Sequence, residues 1–247
     1  TMAFVTLQEN NAVAVIDDVT AFSGFTIDDI LPLGRKDHTL PFNKLDPSNR
    51  DGEAGNGEIN IRNMPVFGLY MPDAVASYEA GGKTYFVTAN EGDGRDVDET
   101  RIGKYGDSGE PALDADTLLF DDAMQDDAVL GRLKSSNVDG DTDGDEDIDD
   151  IQVFGGRSFS IWDESGNLVY DSGDFFERKT ALEFPALFNS DESDPGEFDD
   201  RSDDKGPEPE GVTLGTVNGE TYAFVGLERV GGIMIFNGMK LADLDAI

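Results

Sequence analysis

The densest chemistry in this chain lies at residues 139–150, DGDTDGDEDIDD, where eight of twelve side chains are carboxylates. A calcium loop places oxygen ligands at positions 1, 3, 5, 7, 9 and 12, with glycine at 6 for the sharp turn. Asp139, Asp141 and Asp143 take the first three ligand positions and Gly144 the turn. Asp145, at 7, would offer its backbone carbonyl, Asp147 stands at 9 and Asp150 closes the loop at 12. Aspartate replaces the usual closing glutamate, and Glu146 sits at 8 where an apolar residue is usual. A register two residues later puts Ile148 at 8 but loses the glycine and the closing acid, so the first is preferred. Carboxylates this dense repel one another without a cation, so the loop implies calcium as cofactor. The bland alternative is a solvated acidic surface. The flanks do not read as matched helices, which makes this an isolated loop.

Two further stretches mix acids with guanidinium or ammonium groups. NEGDGRDVDETR, residues 90–101, sets Asn90, Glu91 and Asp93 beside Arg95 and Arg101. DDRSDDKGPEPEGV, residues 199–212, sets Arg201 and Lys205 ahead of Glu210. Carboxylates there could hold a metal while the basic groups clamp a phosphate or carboxylate bidentately. The bland alternative is an internally neutralised network of ion pairs. His38, in RKDHTLP, is the only histidine. It cannot build a multi-histidine metal site and reads as a loop residue. No G-x-S-x-G or P-loop motif occurs.

The elements that would position these groups repeat. Residues 72–91, PDAVASYEAGGKTYFVTANE, align without a gap on residues 209–228, PEGVTLGTVNGETYAFVGLE, at an offset of 137. A third copy places AFVTLQENNAVAVI, from residue 3, over AFVGLERVGGIMIF, from residue 223. Such self-similarity signals a repeat architecture. Each unit reads as strand, tight turn, strand, polar corner, strand, with Gly81-Gly82 or Asn218-Gly219 supplying positive φ. Repeated small antiparallel sheets predict an all-β fold of propeller type, here three to four blades of a larger ring. Equivalent positions make Asp73, Glu91, Glu210 and Glu228 candidates for one shared site at the propeller mouth, with Arg229 beside it.

Between the repeats, residues 18–65 read as mostly loop. Residues 117–134 have the best helical spacing. Residues 154–173 form a hairpin turning at Ser165-Gly166-Asn167 and holding the single tryptophan, Trp162. Residues 175–188 read as a short helix or an irregular connection.

Charge sets the limits on partners. With 53 acidic and 18 basic residues the net charge is −35, which repels nucleic acid. Much of it is consistent with a surface adapted to salty surroundings. There are no cysteines, so divalent ions rather than disulfides would brace loops in a secreted protein. No apolar run is long enough to insert into a membrane.

The motifs together resemble the choice-of-anchor I family of bacterial extracellular proteins, some labelled alkaline phosphatase-like, and the mesenchyme-specific cell-surface glycoproteins. FVTLQENNAVAVID, LPLGRKDHTLP, GLYMPDAVASY, YFVTANEGDGRD, GDTDGDEDIDD, FGGRSFSIWD, DDRSDDKGPEPEGVT and YAFVGLERVGGIMIF carry the resemblance over nearly the whole chain. It implies a seven-bladed type of propeller, export and varied surface anchors, with this chain as the middle of such a domain. Two functions are open. One is a calcium-binding extracellular propeller with a structural, adhesive or ligand-binding role, contacting cell-surface or matrix proteins or copies of itself. The other is a calcium-dependent phosphoesterase. Its catalytic candidates are Glu91, Arg95, Glu210, Glu228 and Arg229, and its phosphate-ester ligand would meet Asp73, Asn90, Asp93, Arg101, Arg201 and Lys205.

Overall fold

Runs of Val, Phe, Tyr, Thr and Ile become strands throughout the residues that the computed structural model describes, 2–17, 24, 26–114 and 122–237. In chain order these are β1 (Ala3–Leu7), β2 (Ala12–Asp17), β3 (Thr26–Pro32), β4 (Arg35–Asp37), β5 (Phe67–Leu69), β6 (Ala74–Ala80) and β7 (Lys83–Asn90). There follow β8 (Glu99–Arg101), β9 (Lys134–Ser136), β10 (Gln152–Phe154), β11 (Ser158–Asp163) and β12 (Leu168–Asp171). After one α-helix, α1 (Phe175–Glu183), come β13 (Pro209–Val217), β14 (Glu220–Leu227) and β15 (Ile233–Asn237). The described residues form an all-β structure in four sheets ordered β1-β2-β3, β4-β5-β10-β9-β8, β12-β11-β7-β6 and β13-β14-β15. Neighbouring strands run antiparallel except β5 and β10, which pair in parallel.

The sequence repeat is a repeat of register. In the β6–β7 hairpin Val75 faces Thr88 and Ala74 faces Ala89. In the β13–β14 hairpin Val212 faces Val225 and Gly211 faces Gly226, the same pairs displaced by 137 residues. Both turns have positive φ at both central residues, 59° and 77° at Gly81 and Gly82, 53° and 82° at Asn218 and Gly219. That geometry matches strand twist and demands glycine or asparagine. The third copy behaves likewise: Ala3 faces Ile16 in β1–β2 as Ala223 faces Phe236 in β14–β15.

Side chains alternate across a strand, and β7 uses both faces. Tyr85, Val87 and Ala89, with Phe159 and Ile161 of β11, pack on Ala223, Val225 and Leu227 of the fourth sheet. Phe86 and Trp162, on the other face, pack on Val13, Val15 and Leu31 of the first sheet. The third sheet is therefore layered between the first and the fourth. A third cluster, including Leu45, Val66, Ile102, Leu130, Leu133 and Val153, lies around the second sheet.

A polar chain threads this packing. The Trp162 indole N–H donates to Thr88 Oγ1 (2.8 Å), and the Thr88 hydroxyl donates to Asn90 Oδ1 (2.7 Å). The Asn90 amide donates to the Ser158 and Ser160 hydroxyls, which donate in turn to Asp171 Oδ2 at 2.6 and 2.7 Å. Lys36 ends the chain, 3.0 Å from Asp171 Oδ1. Every polar group in it has a partner, as burial requires.

Two expectations change. Residues 117–121 lie outside the described residues, and 122–134 are a short 3-10 turn at Asp122–Gln125, further turns and the first residue of β9 rather than a helix. The Asp126 carboxylate takes the Ala128 backbone N–H, and Gly131 passes so close that a Cβ would lie 2.2 Å from the Gln125 carbonyl oxygen. Leu130 and Leu133 are buried by that folded-back path instead of by a helical stripe. Within 18–65, read as loop, stand β3 and β4. All of the first five β3 residues are exposed, which hides an edge strand from a periodicity argument.

Candidate functional site

β7 and β14 end at equivalent points, and the acids that follow them, Glu91 and Glu228, come together. Glu208, just before β13, completes a trio whose carboxylate oxygens lie within 4.8 Å of one another. Glu208 is fully buried with φ 48°, and its carbonyl accepts the Glu228 N–H at 2.9 Å. A β-bulge between Pro209 and Gly211 follows, so Glu208 turns inward while Glu210, two residues on, is exposed.

Three cations of the chain meet this trio. Lys205 Nζ lies 2.5 Å from Glu91 Oε1, 3.2 Å from Asp93 and 3.5 Å from Glu208. Arg201 Nε bonds Glu208 Oε1 at 2.5 Å, and Arg229 Nε lies 3.4 Å from Glu208 Oε2 and 3.3 Å from Glu228. The Gln8 amide donates to the second Glu91 oxygen at 2.7 Å. Burial works against the Lys205 charge, but Glu208, Glu91 and Asp93 together hold its pKa above the ordinary range. Arg201 behaves the same way through Asp204 and Glu208. Glu228 is shifted upward, first by burial and then by Glu208 and Glu91, with Arg229 opposing.

A cleft of about 220 Å³ opens beside the trio, lined among others by Asp93, Glu99, Lys134, Arg201, Lys205 and Arg229. Lys134 is bridged to Glu99 at 3.2 Å and Asp204 at 3.3 Å. Each cation facing the cleft is thus paired with a carboxylate, and anion capture would have to break such pairs.

The other proposed positions are distributed around this centre. Asp73 is raised by burial and then by Glu91, Glu210 and Asp93, so it shares their field. Arg95 pairs with Asp98 at 2.5 Å and faces a separate cleft of about 480 Å³ with Glu9, Arg35 and Asp139. Arg101 bonds Asp203 at 2.7 Å and the Arg132 carbonyl. Asn90 spends its amide in the interior chain described above. His38 is buried, with Nδ1 2.6 Å from the Asn43 carbonyl, and burial followed by the Lys36 charge lowers its pKa well below the ordinary value. Sequence reasoning missed Glu208 and Lys134. Glu208 stands two residues before the candidate Glu210, and only the positive φ and the bulge decide which of the two glutamates turns in.

The acidic loop is assembled otherwise than a single six-ligand set. Asp141, Asp143 and Asp149 form one carboxylate trio, and Asp145, Asp147 and Asp114 another. Asp139 instead accepts the Ser136 hydroxyl at 2.8 Å, and Asp150 is bridged to Arg35 at 2.7 Å. Asp141 accepts the backbone N–H groups of Gly144 and Glu146. Asp143 is raised chiefly by Asp145, and Asp147 reaches about 6 through desolvation and its contact with Asp145. Both trios offer only carboxylate oxygens, the donor type that hard cations prefer.

The choice-of-anchor I domain matches residues 1–240. The chain belongs to the choice-of-anchor I family. It is similar to the mesenchyme-specific cell surface glycoprotein of Strongylocentrotus purpuratus, 32% identical over 244 residues that cover 85% of this chain and 30% of the relative. It is also similar to gigasin-3a of Magallana gigas, 36% identical over 120 residues, 47% of this chain and 42% of that protein. The chain therefore spans less than half the length of these curated relatives. No solved structure matches it. This choice-of-anchor I domain is extracellular or displayed at the cell surface, as its family and the cell surface glycoprotein indicate. No helix among the described residues is long and apolar enough to cross a membrane.

Proposed function

We propose that this chain is a run of propeller blades acting as a non-catalytic surface domain, with calcium bracing its acidic rim and its outer faces binding other surface proteins or further copies of itself. Face-to-face layering of the first, third and fourth sheets, each holding two or three strands of the same repeat, supports the propeller reading. The 139–150 loop and Asp114 supply two carboxylate trios for calcium.

One observation favours binding over catalysis. Glu91 and Glu208, the carboxylates best placed to hold a reactive metal, are bonded by Lys205, Arg201 and Arg229. Their charge is spent on holding strand ends together. The phosphoesterase reading rests on the same cleft, where four basic side chains surround a concave space beside a carboxylate trio.

Phosphomonoester hydrolysis at alkaline pH, with calcium and with chelator, separates the two. The binding reading expects no turnover, together with self-association in calcium that chelator reverses in sedimentation runs. Robust calcium-dependent turnover that Glu91→Gln and Arg229→Ala abolish would replace it with the phosphoesterase.

A further inference from the structure

The interior holds a second group of acids, made of residues other than the trios described above. Asp46, Asn189 and Asp199 are each fully buried. Asp46 Oδ1, Asn189 Oδ1 and Asp199 Oδ2 have no hydrogen-bond partner among the described residues. Buried polar atoms are almost always paired, so three bare oxygens in one region call for a missing partner.

A chain of bonds joins them. Asp199 Oδ1 accepts from the Ser202 hydroxyl at 2.5 Å, and Ser202 Oγ accepts from the Asn189 amide at 2.8 Å. That amide also reaches Glu177 Oε1 at 3.4 Å, while Glu177 Oε2 accepts the Asp46 N–H at 3.0 Å. The segment at 57–60 touches both carboxylates: the Asn60 N–H donates to Asp46 Oδ2 at 2.5 Å, and a Cβ on Gly57 would stand 2.0 Å from Asp199 Oδ2.

The charges do not balance. Arg157, the buried cation nearby, bonds Glu177 at 2.6 Å and otherwise backbone carbonyls, including that of Asp46. It neutralises Glu177 and leaves the Asp46 and Asp199 carboxylates without a counter-charge. Burial and then the Glu177 charge push the Asp46 pKa up to about 8, and burial and then Asp46 push that of Asp199 up to about 9. The bare atoms are all oxygens, with no sulfur or imidazole among them, which is a hard-cation donor set. A divalent ion would restore neutrality.

We infer that Asp46, Asn189 and Asp199 hold one buried divalent cation of the calcium class, through Asp46 Oδ1, Asn189 Oδ1 and Asp199 Oδ2. It ties the segments before β5 to the loop that follows α1. Phe198 and Asp200, which flank Asp199 in the chain, and Gly57, which packs on it, also line a surface groove of about 350 Å³. The site is independent of the exposed loop.

The test strips the full chain with chelator, reloads it with calcium, and measures retained calcium after gel filtration. Wild type, Asp141→Ala/Asp143→Ala and Asp46→Asn/Asp199→Asn are compared. The loop variant is expected to keep one slowly exchanging calcium that the asparagine pair loses. A loop variant that retains none, or an asparagine pair that retains the ion, overturns the proposal. Should the asparagine pair not fold, crystals of wild type soaked with terbium decide by anomalous scattering. A peak bounded by Asp46, Asn189 and Asp199 supports the site, and peaks confined to residues 139–150 overturn it. Failure of calcium binding in the exposed loop would appear separately, as identical total calcium in wild type and the loop variant.

Discussion

The loop at residues 139–150 carries five of its eight carboxylates in the open and the other three half-buried, whereas the five acids of residues 199–208 are mostly buried. In the exposed loop the acids are met by backbone N–H groups and by Thr142, whose bonds lower the Asp149 pKa. In the buried stretch they are met by Arg201, Lys205, Arg101 and Arg132. Solvent makes the difference. Water screens repulsion in the loop, but a buried carboxylate must find a cation or take a proton. A chain of net charge −35 thus concentrates its few basic residues where burial makes them indispensable.

The comparison is broken most severely at Arg157. Its guanidinium bonds Glu177 and three backbone carbonyls, with both side chains of the ion pair almost wholly buried. Arg157→Leu should cost about 3–5 kcal/mol, because it leaves a buried charge without a partner. Urea unfolding would read the loss.

Next comes the loop. In chelator, Asp141→Ala/Asp143→Ala should be no less stable than wild type, since it removes like charges. With calcium at ~100 times its dissociation constant, wild type should gain about 2.7 kcal/mol that the variant lacks. Thermal melts with and without calcium would show it, and equal calcium shifts in the two proteins would contradict a loop site.

Lys205→Met should cost about 1–3 kcal/mol, less than Arg157, because Glu208 keeps Arg201 and Arg229. The pH dependence has a definite sign. Folding raises the Lys205 pKa, so its stabilisation is complete below the unfolded value of about 10.4 and fades as pH rises through the folded value. The gap between wild type and Lys205→Met should therefore stay constant through neutral pH and narrow in strong alkali. The smallest effect belongs to Arg95→Ala, about 1 kcal/mol or less, since its bridge to Asp98 is solvent-exposed.

Legibility followed the same division. Hairpin registers and turns could be read because period-2 patterns and Asn-Gly or Gly-Gly pairs are local signals, and Glu91 and Glu228 were found through their equivalence in the repeat. Glu208 could not be read, since its inward turn depends on a positive φ and a neighbouring bulge. Asp46 and Asp199 are separated by some 150 residues of chain. Nothing local in DPSNR or FDDRS says that both end up without water. The second sheet was equally hidden, as its short strands come from distant parts of the chain and pair partly in parallel.

The interior chain that begins at Trp162 gives the protein a built-in optical probe. Trp162 is the single tryptophan, 1% exposed, stacked with Phe86 at 6.2 Å and edge-on to Tyr70 at 5.0 Å. Its emission therefore reports on the seam between the first and third sheets, while far-ultraviolet circular dichroism averages over all four. Coincident urea midpoints from the two signals would mean that the sheets come apart as one cooperative unit. An earlier fluorescence midpoint would make that seam the first place where the chain opens.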